Sequence, residues 1–313
     1  MEPNAVPPSV LTKMRAASCP HCTAGDVVRF GTYKGTQLYW CKVCKRKYTD
    51  NGAMPGRKVP PDQVGAAVSM FYSGMSLAQV QQTFDHMYDF RPSTATIYEW
   101  VVDYTNTAIH EMKPHKAKTG DIWVADEMML TVGGKKMWNW NVMDGESRYI
   151  LAVRLSPTRM LEDAEAVMRE ARRNADRPPK FIVTDRLASY IDGIERAFGS
   201  ESKHIQSDGI RAKVNNNMSE RLQGAYRARS KVMRGLKRRD TGQLILDGWT
   251  LHYNHFRPHM SLEDNTPGSV AGIEPPIKNW EDVARLPVQR FSVQRIQRER
   301  LRDKTFRRRR GGL

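Results

Sequence analysis

The spacing of apolar positions changes along the chain, and the changes divide it. From Asp62 to about Met112 the spacing is helical. In PDQVGAAVSMFYSG, Val64, Ala67, Val68 and Phe71 share one helix face. Gly74 ends that helix, Ser76 is placed to cap LAQVQQTF, and a third helix starts near Ser93 and runs through TATIYEWVVDYTNTAIHEM. From Asp121 the period shortens. DIWVADEMML is apolar on both faces, as in a central strand, and the alternation through TVGGKKMWNWNVMDGESRYILAVRLS, broken at Gly133–Gly134 and Asp144–Gly145, predicts a three-stranded antiparallel meander. RMLEDAEAVMREARRNA then reads as an amphipathic helix, PPKFIVTD as a fourth strand, RLASYIDGIERAF as a helix and SKHIQS as a fifth short strand. A further helix follows over NNNMSERLQGAYRARSK. The order βββαβαβα predicts an α/β domain with a mixed five-stranded sheet.

Ahead of Asp62 the composition changes. All four cysteines fall in CPHC and CKVC, spaced C-x2-C-x18-C-x2-C. Two close pairs on tight turns can place Cys19, Cys22, Cys41 and Cys44 around one Zn²⁺. The β-rich, glycine-punctuated segment between them predicts a zinc ribbon that needs its metal to fold. His21 sits inside the first turn as a bystander. Residues 51–61, NGAMPGRKVPP, read as a linker. The three helices after it, with a tight turn before the second and a polar start to the third, fit a helix-turn-helix that turns Thr94, Thr96 and Tyr98 toward a DNA groove. They also fit any small helical bundle.

Charge sharpens this picture. The net charge is +16, and it is concentrated. Arg221–Arg239 holds eight Lys or Arg and no acid, and Arg290–Leu313 is arginine-rich. Two basic segments on an otherwise neutral body point to a polyanionic partner, most simply nucleic acid. With no apolar run long enough to span a bilayer and no signal-peptide pattern at the N-terminus, the expected location is cytoplasmic, nucleoid-associated in a prokaryote.

Three carboxylates stand out against this background. Asp126 lies among apolar neighbours in the first strand of the sheet, Asp185 ends the fourth strand, and Glu220 opens the basic helix. If the first and fourth strands are neighbours, the two aspartates lie side by side. Converging carboxylates repel unless they hold hard cations, and two Mg²⁺ (or Mn²⁺) ions roughly 3.5–4 Å apart can act on a phosphodiester. Each residue also has a structural reading. Asn217 and Glu220 fit a capping box, Asp185 fits a helix N-cap, and Glu127 beside Asp126 is an alternative carboxylate.

WVADE, FIVTD and NNNMSERLQGAYRARSK resemble the three catalytic blocks of DDE transposases and integrases, the retroviral-integrase superfamily with an RNase H-like fold. Asp185 and Glu220 have 34 residues between them, within the range such transposases use. HYNHFRPHMSLEDNTPGSVAG resembles the block that commonly follows this domain, which makes His252, His255 and His259 packing residues rather than metal ligands.

The resemblance implies a polynucleotidyl transferase. Asp126, Asp185 and Glu220 would hold two Mg²⁺ (or Mn²⁺) ions, nick the ends of a mobile element and join its 3′-hydroxyl to target DNA. Arg227, two helical turns beyond Glu220, would contact the element end, with Arg229 and Lys231 beside it. The expected organisation is a zinc ribbon over 1–50, a linker over 51–61, a helix-turn-helix over 62–117, an RNase H-like catalytic domain over 118–275 and a basic tail over 276–313. The expected partners are DNA and further copies of the chain, as a homodimer or larger assembly. The alternatives are a transposase-derived DNA-binding regulator without catalysis and a metal-dependent nuclease of the same fold.

Overall fold

The computed structural model describes residues 18–33, 36–49, 57–207, 217–233 and 236–288; of Tyr33, Thr36, Asn217, Ser219 and Glu220 it describes the backbone only. The chain divides into two units between Val64 and Gly65.

In the first unit β1 (Val27–Tyr33), β2 (Thr36–Cys41) and β3 (Lys47–Thr49) form an antiparallel sheet in that order. Cross-strand aromatics hold it, with Tyr39 stacked on Tyr48 at 5.6 Å and Phe30 beside Trp40 at 5.9 Å. The two cysteine turns are built alike. Thr23 N–H donates to Cys19 O at 2.8 Å, and Lys45 N–H donates to Cys41 O at 3.0 Å. The residue after each second cysteine is left-handed, Thr23 at φ 59° and Lys45 at φ 58°. Most of the expected linker, residues 51–56, lies outside the described residues.

Helix α1 (Pro61–Tyr72) leads to α2 (Leu77–Tyr88) and α3 (Thr94–Met112). The predicted cap at Ser76 forms, and Ser93 caps the third helix. Ser76 Oγ accepts from Gln79 N–H while Gln79 Oε1 accepts from Ser76 N–H, and Ser93 Oγ accepts from Thr96 N–H. Phe71, Val80, Phe84, Ile97 and Val101 are fully or nearly fully buried.

The sheet of the second unit runs β6-β5-β4-β7-β8, from β4 (Ile122–Val132), β5 (Lys135–Asp144), β6 (Ile150–Ser156), β7 (Phe181–Thr184) and β8 (Lys203–Gln206). The β4–β5–β6 pairs are antiparallel and β4–β7–β8 parallel, so β4 is central and the sheet mixed, as the apolar pattern predicts. Helices α4 (Leu161–Asn174), α5 (Ala188–Phe198), α6 (Asn217–Val232) and α7 (Arg239–Leu251) surround it. On β4, Trp123 shares a face with Glu127, and that face meets α5: Trp123 packs edge-on to Phe198, and Trp140, opposite Glu127, packs on Tyr190. Gly193 lets α5 approach α4, since a Cβ there would lie 2.8 Å from the Ala164 Cβ.

Strand β6 is an edge, and side-chain amides cover it. Gln243 accepts from Leu155 N–H and donates to Val153 O, Asn254 accepts from Ile150 N–H and donates to Ile150 O, and Asn174 donates to Leu151 O. This satisfies backbone groups that would otherwise be free to pair with another strand. Asn254 belongs to the HYNHFRPH block, so part of that block's job is structural. Its histidines agree with this. His252 and His255 are buried, the first accepting from Trp280 Nε1–H at 3.2 Å and the second bonded to the Tyr149 hydroxyl at 3.2 Å.

Packing runs across two of the expected boundaries. No division falls between residues 117 and 118, because α3 packs against α7, where a Cβ on Gly248 would collide with the Tyr72 hydroxyl and the Thr105 methyl. Residues 276–288, the start of the expected tail, are ordered against the body of the second unit. They carry α9 (Trp280–Ala284), after the short α8 (Pro267–Val270), and Trp280, Val283 and Ala284 are buried, with Trp280 stacked on Tyr72 at 5.0 Å. Apolar burial outweighs the basic character of the sequence that follows. The arginine-rich part, 289–313, lies outside the described residues. Among the described residues no helix is long and apolar enough to cross a membrane.

Candidate active site

Register brings the first two carboxylates together. Parallel pairing of β4 with β7 matches Val124 with Val183. Two residues further along each strand stand Asp126 and Asp185, at the same level, where β7 has ended. Glu127 joins them. Oxygens of Asp126, Glu127 and Asp185 all lie within 4.8 Å of one another. Asp126 and Glu127 are 7% and 8% exposed, so the cluster carries its charge inside the protein, where it is costly without compensation.

Hydrogen bonds fix each member. Asp126 Oδ1 accepts from Glu127 N–H at 2.9 Å. Asp185 Oδ1 accepts from Leu187 N–H at 3.0 Å, just before α5; Leu187 itself is the N-cap residue, so Asp185 closes the turn rather than capping the helix. Glu127 Oε1 accepts from Arg159 at 3.0 Å, and the Arg159 guanidinium lies over the Trp138 ring at 4.1 Å. Glu127 Oε2 and the Tyr190 hydroxyl are both buried, and the two side chains act on each other. Burial, then the charge of Asp185, push the Glu127 carboxyl up to about 7, against the pull of Arg159.

Helix α6 docks on this cluster through a residue that sequence reasoning did not single out. Gln223 Nε2–H donates to Asp126 Oδ2 at 2.6 Å and to Glu127 O at 3.3 Å. Arg227, one turn on and exposed, donates to Gln223 Oε1 at 3.2 Å. A chain of contacts therefore runs from Asp126 through Gln223 to a surface guanidinium. A signal existed, since Gln223 is a polar residue on the inner face of a helix facing a carboxylate strand. Spacing alone does not show which strand it meets. Glu220 lies on α6 three residues before Gln223; its side chain is outside the described residues, as are the Asn217 and Glu220 side chains of the capping-box reading.

The remaining expected site residues separate. Lys231, Thr94 and Tyr98 are exposed and Thr96 is half-buried. Arg229 is not offered to a ligand at the surface. It is 5% exposed, lies over the Phe71 ring at 3.9 Å and donates to Met75 O. Its helical position faces α1, away from Gln223 and Arg227, which explains the difference from the sequence expectation.

In the first unit the cysteines converge. The sulfur atoms of Cys19, Cys22, Cys41 and Cys44 lie within 4.8 Å of one another, Cys19–Cys44 and Cys22–Cys41 each at 3.6 Å. Backbone N–H groups of His21 and Cys44 point at Cys19 and Cys41 sulfurs, at 3.4 and 3.5 Å. Four thiols with amide donors and a small antiparallel sheet fit a zinc ribbon.

Residues 120–259 match the family model of a DDE domain. Among solved structures, the chain is similar to the HTLV-2 integrase catalytic core domain in complex with magnesium, in its trimeric form, at 13% identity over 50% of this chain and 99% of that one, with a TM-score of 0.39. It is also similar to the simian T-cell lymphotropic virus intasome in complex with PP2A regulatory subunit B56 gamma, at 14% identity over 72% of this chain and 78% of that one, with a TM-score of 0.40. A search among curated proteins finds no significant match.

Proposed function

From the premise that residues 120–259 are a DDE domain, and the enzyme therefore a polynucleotidyl transferase, we propose that it nicks DNA at the ends of a mobile element and transfers the freed 3′-hydroxyl into target DNA. The observation that carries this reading is the buried meeting of Asp126, Asp185 and Glu127, with α6 docked on Asp126. The donor set fits hard divalent cations, since the clustered groups offer only carboxylate oxygens. Asp126, Asp185 and Glu220 would hold two Mg²⁺ or Mn²⁺ ions. When bound, they supply activation of the attacking oxygen and stabilisation of the leaving one.

The chain's own residues do the positioning. Gln223 holds Asp126 in place, Arg159 offsets the charge of Glu127, and Arg227 and Lys231 hold the DNA backbone beside the carboxylates. Thr94, Thr96 and Tyr98 on α3 read the element end, the zinc ribbon assists them, and the arginine-rich tail adds sequence-independent phosphate contacts. Joining two ends calls for a dimer or larger assembly on DNA.

The test is a strand-transfer reaction with a labelled duplex carrying the flanking terminal repeat, a plasmid target, and Mg²⁺ or EDTA. Metal-dependent joined product, lost in Glu220→Gln, is expected. Tight binding without nicking in either Mg²⁺ or Mn²⁺ would identify a DNA-binding regulator instead. Nicking without joined product would identify a nuclease.

A further inference from the structure

Arg229 is a buried cation with no counter-charge beside it among the described residues. One guanidinium nitrogen donates to Met75 O at 3.0 Å, while Nε and Nη2 are buried and have no partner. Tyr72, whose ionised form would offset it, is kept neutral at ordinary pH by burial. Burial pulls the Arg229 pKa down to about 10. It nevertheless stays charged near neutral pH. The Phe71 ring at 3.9 Å and Met75 O offset only part of that charge, which leaves two buried N–H donors suited to an anion from outside the fold.

A cavity of about 510 Å³ lies beside it, within the range of small-ligand sites. Arg229, His252 and Arg257 line it together with Tyr72, Trp249 and Tyr253, and among the described residues no acidic one lines it. Arg257 is exposed and supplies a second guanidinium. His252 supplies an N–H. Its Nδ1 accepts from Trp280, so the neutral ring carries its proton on Nε2. Burial and the two guanidiniums push His252 down to about 4, which keeps that tautomer neutral near pH 7. Trp249 and Tyr253 are stacked at 5.3 Å and give the cavity an aromatic wall.

We propose that this cavity is a phosphate-binding site, in which Arg229, Arg257 and His252 Nε2–H hold the phosphate of a nucleotide and the Trp249–Tyr253 wall takes its base. Guanidinium forks match phosphate oxygens in geometry as well as charge, and aromatic faces stack on any base. The site lies on the side of α6 away from Gln223 and Arg227. It does not depend on the transfer reaction proposed above. The nucleotide is either free or part of a DNA strand.

Equilibrium dialysis of the full chain with labelled pyrophosphate, and separately with deoxyadenosine monophosphate, without added magnesium, tests the site. Saturable binding is expected in the wild type and in Asp126→Asn. Arg257→Ala, which alters only an exposed side chain, is expected to weaken binding at least tenfold. Arg229→Met is expected to abolish it, while circular dichroism shows the fold intact. The His252 imidazole resonances are expected to shift on saturation. Displacement of pyrophosphate by a short single-stranded oligonucleotide would name a DNA strand as the source, and resistance to it a free nucleotide. Unchanged affinity in Arg257→Ala, no saturable binding in the wild type, or loss of binding in Asp126→Asn would overturn the proposal.

Discussion

The two ligand clusters of this molecule are assembled in opposite ways. Four cysteines come from 26 consecutive residues, Cys19 to Cys44, on two turns of the same design in one three-stranded sheet. The carboxylates come from neighbouring strands that are far apart in sequence, Asp126 and Glu127 on β4 and Asp185 after β7, and they are braced by a third element, α6. The first cluster holds its small sheet together. The second is held by a large sheet that folds around other contacts, with a core of Trp123, Trp140, Tyr190 and their neighbours. A local cluster can be the fold's reason for existing. A long-range one is a cost that the fold carries for chemistry.

The sharpest test of that contrast withholds metal ions from both clusters. Metal chelation is expected to unfold the β1–β3 sheet completely, since structural zinc contributes on the order of 10 kcal/mol to such domains. The second unit should keep its protection. Hydrogen exchange reads both at once, and loss of protection across β4–β8 would break the comparison.

Next in size is Asp126→Asn. Strand cleavage in Mg²⁺ is expected to fall at least ~1,000-fold, about 4 kcal/mol of barrier, with the melting temperature unchanged or raised. A large fall in melting temperature would mean that the carboxylate cluster stabilises the sheet as the cysteines stabilise theirs.

Glu127→Gln probes the cost directly. Burial raises the folded Glu127 pKa to about 7. The folded state therefore holds a proton that the unfolded state has lost between about pH 4.5 and 7, and stability falls as pH rises through that window. The substituted side chain does not titrate. In metal-free buffer the variant should gain roughly 2–3 kcal/mol relative to wild type on going from pH 5 to pH 8. Thermal melts at the two pH values check it, and an equal difference at both would show that the carboxyl is not perturbed.

The smallest effect is expected from Gln223→Ala. Without its amide, Asp126 is less well placed, and turnover should drop about tenfold, ~1.4 kcal/mol, with little change in KM for DNA. Arg227→Ala should do the reverse, raising KM more than it lowers kcat. A rise in KM alone for Gln223→Ala would make it a DNA contact rather than a brace.

Parts of the site are legible in the sequence. Asp126 and Asp185 fall side by side once the two strands are taken as neighbours, because side-chain period and strand ends are local properties. Glu127 is visible there only as an ambiguity, since adjacent strand residues point to opposite faces. The end of β7 leaves room for both neighbours to reach Asp185. Gln223 and Arg229 belong to one basic helix, which in sequence reads as a single DNA surface. In the folded chain one meets β4 and the other is buried against α1, because a helix presents different faces to different partners. The fold of residues 276–288 is hidden by the arginines after it. Trp280 reads as buried only when Tyr72 and α3 are there to cover it.

By itself, then, the sequence determined what depends on near neighbours: the strand meander, the caps at Ser76 and Ser93, the cysteine turns, and the residues that carry acid. The tertiary structure decided what depends on meetings between distant elements. It chose which oxygens converge, made Gln223 the brace of Asp126, turned Asn254 to the edge of β6 and buried Arg229 against Phe71 and Met75. Local preferences are written in spacing. A contact between distant elements exists only after packing has chosen a face for each.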